Sequence, residues 1–340
     1  MDTKKIEVSS SNSTYNIYLG GSILNLINKK LNPNSRKVII TDENIYRLKL
    51  CKQLNVDNLI DTIVIQSGEN NKSFATVQSI IQRLTELQFS RDDVLIAFGG
   101  GIVGDVCGFV ASIYMRGIKY VQVPTTLLSM VDSSIGGKTA INFSDNKKII
   151  KNLVGSFYTP EFVIIDKNLL ETLPERQLKC GMVEMIKIGF IYNKQIVEIF
   201  ENQRDFEALD ELIYLAVMTK KEIVEIDEKE KGLRKILNFG HTFGHGLETV
   251  SENKILHGEA VAFGMTKMIK NDNVLNRLVS IFNKYKIPYV FEYNKENILK
   301  TILLDKKSTF DDEIFIVFVD EVGKGYIEQV QHRTLALLLK

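Results

Sequence analysis

Tryptophan is absent from this chain of 340 residues, proline occurs only 5 times, and the 3 cysteines (Cys51, Cys107 and Cys180) lie far apart. So few prolines exclude a proline-rich recognition segment. Cysteines that form no CxxC pair are expected to be reduced thiols with packing roles, which favours a cytoplasmic protein. No secretory signal is visible at the N-terminus, and the longest apolar run, 94–104, is shorter than the about 20 residues of a membrane span. We therefore expect no membrane partner.

An excess of charge of either sign is also missing. The chain has 43 Lys and Arg against 42 Asp and Glu, which gives a formal net charge of +1. A broad basic face for nucleic acid is therefore not expected. With 44% hydrophobic and 25% charged residues, the composition is that of a globular protein. Its length predicts about two domains.

Short β-rich runs alternate with amphipathic segments in the first half of the chain. Strands are expected at 37–41, 61–66, 93–98, 119–123 and 162–166, with helices at 76–87 and from 101 to about 114. This alternation predicts a Rossmann-like α/β domain with a mostly parallel sheet over residues 1–167. From residue 168 to 340 the pattern predicts a mainly α-helical domain, with clear helices at 209–225 and 259–271 and a late hairpin of 313–319 with 325–330.

A glycine-rich loop follows the predicted strand 93–98 and opens a predicted helix. Residues 99–104, Gly-Gly-Gly-Ile-Val-Gly, satisfy the G-x-G-x-x-G pattern, in which backbone N–H groups approach a dinucleotide pyrophosphate. No acidic residue ends the next strand, which runs into Pro124-Thr125-Thr126. Asp42, at the tip of an earlier strand, is therefore the candidate for the ribose hydroxyls. The alternative is a tight turn that serves packing alone.

Histidine is scarce and clustered, since three of the 4 lie between His241 and His257. His241 and His245 are spaced i, i+4 on a predicted helix, and His257 opens the next helical run. Glu184 places an acid on an otherwise apolar helix face, where it needs a partner. Two imidazoles and a carboxylate are typical of a catalytic zinc site. Spacing leaves open which two histidines bind the metal, and the third is placed for proton transfer or anion contact. Unrelated polar residues in turns and caps are the alternative.

Several basic residues lie in glycine turns or in otherwise apolar contexts. Lys138 follows Gly136-Gly137 in a turn that lacks the first glycine of a P-loop, so a nucleoside triphosphatase is rejected. The others are Lys151 (with Asn152), Lys187, Lys220 and Arg234. Together they indicate a local site for an anionic substrate, which a neutral total charge permits. Each one alone would be expected on the solvated surface.

Four segments, 99–111, 124–139, 232–245 and 256–260, carry these motifs in long matching runs. Through them the sequence resembles the 3-dehydroquinate synthases from Asp42 to Asp305-Lys306-Lys307, nearly the whole chain. The resemblance implies that family's fold, a homodimer, NAD and one divalent metal, zinc or cobalt. It also implies the substrate 3-deoxy-D-arabino-heptulosonate 7-phosphate (DAHP), converted to 3-dehydroquinate and phosphate by transient oxidation, phosphate elimination, re-reduction and aldol cyclisation.

The resemblance also implies roles for individual residues. The metal ligands would be Glu184, His241 and His257, which leaves His245 in the substrate site. The NAD contacts would be Asp42, Glu69, Lys72, Gly100, Gly101, Ile102, Asp105, Thr125 and Thr126, with Asp132, Lys138 and Lys151 beside them. The catalytic and substrate contacts would be Asp132, Lys138, Lys151, Asn152, Lys187, Lys220, Arg234, Asn238, His245 and Lys307, with Arg116 reaching across the dimer.

One segment departs from the family, because the stretch between Lys138 and Lys151 is about four residues longer than usual, a change that loops tolerate. Raw spacing would match Lys147 instead of Lys151, but Lys151-Asn152-Leu153 fits the local motif better. Three other functions compete. A metal-dependent polyol or alcohol dehydrogenase would accumulate reduced nicotinamide, a cyclase that makes an inosose or valiolone would need fewer cations, and a non-catalytic NAD-binding regulator would tolerate loss of the metal ligands.

Overall fold

The five predicted strands of the first half of the chain belong to one seven-stranded sheet. The computed structural model describes residues 3–10, 13–144, 149–203, 208–252, 254–305 and 313–339. The chain divides into two compact units, 1–173 and 174–340. The predicted boundary after residue 167 falls at the start of the 3₁₀ helix Lys167–Thr172, before this division.

The strands of the first unit are β1 Lys4–Ser9, β2 Thr14–Gly20, β3 Lys37–Asp42, β4 Leu59–Ile65, β5 Val94–Gly99, β6 Lys119–Pro124, β7 Lys138–Ser144, β8 Ile149–Phe157 and β9 Phe162–Asp166. The main sheet has the order β1-β2-β9-β6-β5-β3-β4. Within it, only the pair β1 and β2 is antiparallel, and the other neighbours are parallel. The mostly parallel α/β domain is therefore confirmed, while β1, β2 and the separate β7–β8 hairpin were not predicted.

The helices of the first unit cover this sheet. They are α1 Leu26–Lys30, α2 Glu43–Arg47, α3 Phe74–Glu86 and α4 Gly101–Ile113, with short 3₁₀ helices at Leu50–Leu54, Glu69–Asn71 and Tyr114–Arg116 and a π-helical turn at Ser129–Ser133. α3 forms because Val77, Ile80 and Leu84 recur on one face and are buried. Its first turn is capped by Ser73, whose hydroxyl accepts from the backbone N–H of Thr76.

The order of the parallel strands locates a binding crevice in this unit. β4 lies on one side of β3 and β5 lies on the other, so the direction of winding reverses between β3 and β5. Ligands of open α/β sheets bind at the carboxyl ends of the strands beside such a reversal. β3 ends at Asp42 and β5 ends at Gly99, so two of the predicted cofactor elements lie at this edge.

The second unit is mainly helical, as predicted. Its elements are α5 Glu175–Ile191, α6 Lys194–Asn202, α7 Leu209–Ile226, the 3₁₀ helix Leu233–Asn238, α8 His241–Val250, α9 His257–Lys267, α10 Asp272–Lys284, α11 Lys295–Asp305, β10 Glu313–Glu321, β11 Lys324–Gln331 and α12 His332–Leu338. α5 is buried without a break from Cys180 to Ile191, so it forms the centre of this unit. None of the helices in the described ranges is long and apolar enough to cross a membrane.

Candidate active site

Glu184, His241 and His257 come together in the second unit as a group that could hold a metal ion. Glu184 lies in the middle of α5, His241 is the first residue of α8, and His257 is the first residue of α9. Glu184 Oε1 is 3.5 Å from His257 Nε2 and 3.9 Å from His241 Nε2. One ligand atom from each residue lies within 4.8 Å of the others. The donors, two imidazoles and a carboxylate, are those of a catalytic zinc site.

The other ring nitrogen of each imidazole has a partner that directs Nε2 toward Glu184. His241 Nδ1 is 3.1 Å from the carbonyl oxygen of Phe239. His257 Nδ1 is 3.4 Å from Glu248 Oε2. Partners of this kind keep the proton on Nδ1 and leave Nε2 free to bind a metal. Glu248 was missed in the sequence, although it follows His241 and His245 at i+7 and i+3 on the same helix face.

His245 lies in the same histidine cluster as His241 and His257. Its ring centroid lies 5.2 Å from that of His241 and 5.8 Å from that of His257. A second set, His245, Glu248 and His257, also brings its ligand atoms within 4.8 Å. The first set fits a cation better, because the Glu184 carboxylate is fully buried and neither oxygen has a well-aligned hydrogen bond among the described residues.

Charge around Glu184 is balanced by buried cations. Lys187, one turn further along α5, pairs with Glu184 Oε2. Burial raises the pKa of the Glu184 carboxyl, but Lys187 and the two imidazoles outweigh it and hold the pKa well below its usual value. Burial, followed by Lys187, keeps the pKa of His241 low. Burial also lowers the pKa of His257, but Glu184 and Glu248 raise it to about 10.

Three of the predicted basic residues are buried in the second unit. Lys187 is 1%, Lys220 5% and Arg234 2% exposed, so a solvated surface position is wrong for each of them. The elements that carry Lys220 and Arg234, α7 and the 3₁₀ helix Leu233–Asn238, both pack against α5. Arg234 Nη1 donates to the carbonyl oxygen of Glu228.

Asn238 and Lys307 complete the residues predicted for this unit. Asn238 is exposed, and its Nδ2 donates to Glu230 Oε1 at 2.7 Å. Lys307 lies outside the described residues.

The glycine loop of the first unit lies close to side chains of neighbouring segments, which leave little room for a Cβ at its glycines. Gly100 is the N-cap of α4 and Gly101 its first residue. A Cβ on Gly100 would lie 3.1 Å from Thr126 Cγ2, and one on Gly101 would lie 3.0 Å from Ser133 Oγ. Ile102 follows in the first turn. Thr125 donates its N–H to Gly99, and its buried Oγ1 has no partner among the described residues.

A hydrogen-bond network joins four of the predicted residues. Lys72 Nζ is 2.5 Å from Asp105 Oδ2 and also donates to Asn152 Oδ1. Asn142, on β7, was missed in the sequence. Its Nδ2 donates to Glu69 Oε1 at 2.8 Å, and its Oδ1 accepts from the N–H of Asn152 at 2.9 Å. Asn142 therefore joins the two ends of the network.

The remaining predicted residues of the first unit lie on separate elements. Asp42 is the N-cap of α2, and its Oδ1 accepts from the backbone of Asn44 at 2.8 Å. Asp132 is part-buried in the π-helical turn, and Lys138 is exposed at the start of β7. Lys151 is half-buried on β8, while the alternative Lys147 lies outside the described residues. Arg116 is exposed and has a left-handed φ of 66°.

Comparison with known proteins gives matches over nearly the full chain. Family models described as 3-dehydroquinate synthase N-terminal and C-terminal match residues 62–180 and 181–308. The 3-dehydroquinate synthase of Clostridium tetani (strain Massachusetts / E88) is 38% identical over 96% of this chain and 91% of its own length. That of Dictyoglomus turgidum is 39% identical over 99% and 98%.

Solved structures share the fold. A 2-deoxy-scyllo-inosose synthase complexed with carbaglucose-6-phosphate, NAD⁺ and Co²⁺ aligns with a TM-score of 0.84 and 24% identity over 99% of both chains. A 2-epi-5-epi-valiolone synthase from Streptomyces hygroscopicus with NAD⁺ and Zn²⁺ aligns with a TM-score of 0.84 and 23% identity over 97% of both. An iron-containing alcohol dehydrogenase aligns with a TM-score of 0.65 and 14% identity over 96% of both. The dehydroquinate synthase-like fold is thereby confirmed.

Proposed function

The chain belongs to the 3-dehydroquinate synthase family, and on that premise we propose how its own residues carry out the reaction. The enzyme is a lyase of the shikimate pathway that converts DAHP to 3-dehydroquinate and phosphate. The observation that carries the assignment of the site is the buried Glu184 carboxylate, faced by Nε2 of His241 and His257. Buried Lys187, next to it, adds a cation that a neutral substrate would not need.

Glu184, His241 and His257 would hold one divalent metal, zinc or cobalt. The fit is chemical, because the carboxylate oxygens lack aligned donors among the described residues and both imidazoles present Nε2. Residues of the glycine loop, with Asp42, Glu69, Lys72, Asp105, Thr125 and Thr126, would hold NAD. When bound, the metal would lower the pKa of a substrate hydroxyl and NAD would accept a hydride from that carbon and later return it.

The chain's own residues supply binding and proton transfer. Lys187, Lys220 and Arg234 would hold the substrate's carboxylate and phosphate, and the guanidinium can donate two parallel hydrogen bonds to either group. Their burial strengthens these contacts, because water does not screen them. Asp132, Lys138, Lys151, Asn152, Asn238 and Lys307 are assigned to the substrate by resemblance.

His245 would move protons during the elimination. It lies beside both metal ligands and is itself left over from the Glu184 set. A neutral imidazole has one nitrogen that donates and one that accepts a proton, which suits a group that must act as both acid and base.

We further propose a cytoplasmic homodimer. All three cysteines are free thiols, as the compartment requires. The β7–β8 hairpin exposes Phe143, Ile149, Leu153 and Phe157 to a substantial degree, which suits a face covered by a second copy. Arg116 would then contribute to the partner's site.

The assignment of the site is tested with purified protein, NAD, Zn²⁺ and DAHP. We expect phosphate release to fall by at least about a hundredfold in Lys187→Ala and His257→Ala, because one removes a substrate cation and the other a metal ligand. Lys221, half-buried on α7 beside Lys220 and paired with Glu225 at 2.6 Å, provides the control Lys221→Ala, which should stay active. Unchanged phosphate release in both site variants would refute the assignment. Phosphate release from a sugar phosphate that lacks the carboxylate, with none from DAHP, would favour the related cyclases.

A further inference from the structure

Three residues of α5, spaced four apart, each meet one of the first three residues of α9. Glu184 faces His257, with 3.5 Å between Oε1 and Nε2. One turn earlier, Cys180 contacts Gly258. One turn earlier again, Arg176 pairs with Glu259. Residues at i, i+4 and i+8 lie along one helix face. One face of α5 therefore contacts the first turn of α9 at three successive points, the last of which is the pair of proposed metal ligands, Glu184 and His257.

The middle contact sets how closely the helices approach. A Cβ on Gly258 would lie 2.4 Å from Cys180 Cα and 2.8 Å from Cys180 O, both backbone atoms of α5. No side chain fits there, so a residue other than glycine would push the start of α9 away from α5. The metal ligand His257 is the neighbouring residue and would move with it.

The outer contact is a two-point ion pair. Arg176 Nε is 2.6 Å from Glu259 Oε1, and Arg176 Nη2 is 2.7 Å from Glu259 Oε2. The same Nη2 donates to the carbonyl oxygen of Lys254 at 2.9 Å. Glu259 Oε2 also accepts the N–H of Leu256 at 2.9 Å, so the carboxylate caps the first turn of α9. Two parallel hydrogen bonds fix direction as well as distance.

We propose that Arg176 and Glu259 are positioning residues for the metal site, which set the separation of His257 from Glu184 without touching the metal. Glu259 is 4% exposed and fixes the first turn of α9, while Arg176 anchors that carboxylate to the helix of Glu184. The inference rests on the proposed metal site. It assigns a function to a pair that the mechanism does not use, two helical turns from the ligand on α5.

The experiment compares Co²⁺ affinity, by competition with a chelator, in the full-length protein. Arg176→Met keeps the apolar part of the side chain but removes the guanidinium group. Arg176→Lys restores a positive charge that can donate to one of the two carboxylate oxygens of Glu259. Glu175→Gln is the matched control, because it breaks the neighbouring pair of Glu175 with Lys179, 2.7 Å long, on the same helix turn. Circular dichroism of the metal-free proteins establishes that each is folded at the temperature used.

We expect Arg176→Met to bind Co²⁺ about 10- to 100-fold more weakly, as for other residues that orient ligands, with Arg176→Lys between it and the native protein and Glu175→Gln unchanged. The Co²⁺ absorption bands should also shift, which a loss of stability alone would not cause. If Arg176→Met is folded and binds Co²⁺ with the native affinity and the native absorption bands, the positioning role is refuted. If Arg176→Met does not fold, the same result for Arg176→Lys refutes it. If the native protein itself binds no Co²⁺, the metal site fails and the positioning role with it.

Discussion

At the scale of single residues, the proposed metal site depends on where protons lie on the imidazole rings. Spacing in the sequence placed three histidines together but could not choose among them, because the choice depends on residues that fold against Nδ1. In the proposed site, the carbonyl of Phe239 and the carboxylate of Glu248 lie against Nδ1 of His241 and of His257, respectively. Glu248 was recognisable in principle from its helical spacing to His245, but its contact with α9 depends on tertiary packing.

Glu248 is expected to tune metal affinity through His257. Replacing Glu248 with Ala removes the acceptor on Nδ1, so the ring is free to rotate or to change tautomer, and affinity for Zn²⁺ should fall about 10- to 100-fold. Glu248→Gln, which keeps an acceptor, should retain more affinity. Chelator competition measures both, and exposed Glu252, just after α8, gives the control Glu252→Gln. Native affinity for Zn²⁺ in Glu248→Ala would contradict a role of Glu248 in orienting His257.

Metal binding should release a proton and strengthen as pH rises. The pKa of His257 is raised to about 10 in the metal-free protein, above the unfolded value of about 6.5, so the imidazolium stabilises the metal-free fold below pH 6.5 and this stabilisation is lost as pH rises through 10. A metal must displace that proton. Calorimetric titration with Co²⁺ in buffers of different ionisation enthalpy, between pH 6.5 and 8.5, should show about one proton released. Binding that is independent of pH would contradict this ionisation.

At the scale of helices and strands, strong periodicity was sufficient for prediction and weak periodicity was not. The buried strands β3, β5, β6 and β9, and helices α3 and α7, were predicted within a few residues because their apolar patterns are uninterrupted. β1 and β2 lie in a segment rich in Ser and Asn, which resembles a loop. β7 and β8 alternate polar and apolar residues irregularly, and their pairing includes a register shift between Ile141 and Phe143.

Asn142 on β7 is expected to support both stability and NAD binding. It is 6% exposed and connects Glu69 with Asn152. Asn142→Ala leaves these groups unsatisfied, which should lower the free energy of unfolding by about 1–3 kcal/mol and weaken NAD binding. Urea unfolding and fluorescence titration with NADH measure the two effects. Exposed Ser144 on the same strand gives the control Ser144→Ala, and equal stability and affinity in both variants would contradict a role for the network.

At the scale of the whole molecule, the neutral total charge conceals a concentration of cations. Lys187, Lys220 and Arg234 are all buried in the second unit, although the net charge of the chain is +1. Composition could exclude a broad basic face but could not reveal buried charges, because burial is a property of the fold. The motifs of the sequence, in contrast, were sufficient to propose NAD binding for the first unit and metal binding for the second.

The homodimer and the role of Arg116 are tested by mixing inactive variants. If Arg116 acts in the partner's site, a heterodimer of Arg116→Ala and His257→Ala contains one intact site. Co-refolded equal amounts should therefore recover up to about a quarter of native activity, since half of the dimers are mixed and each has one good site of two. His257→Ala mixed with Lys187→Ala is the control. Each chain then carries a substitution in its own site, so the mixed dimer has no intact site and should stay inactive. No recovery in the first mixture would contradict an arginine shared across the dimer.

The most direct test of the proposed chemistry is a stoichiometry measured in one reaction. The reaction contains purified protein, Zn²⁺, one equivalent of NAD per enzyme and a large excess of DAHP. Phosphate release and the absorbance of NADH are both followed over time. Because the hydride is returned in each cycle, we predict one phosphate and one 3-dehydroquinate per DAHP over many turnovers, with no net NADH. Phosphate release that stops after one turnover, with NADH accumulated in the same amount, would contradict the account and identify a dehydrogenase.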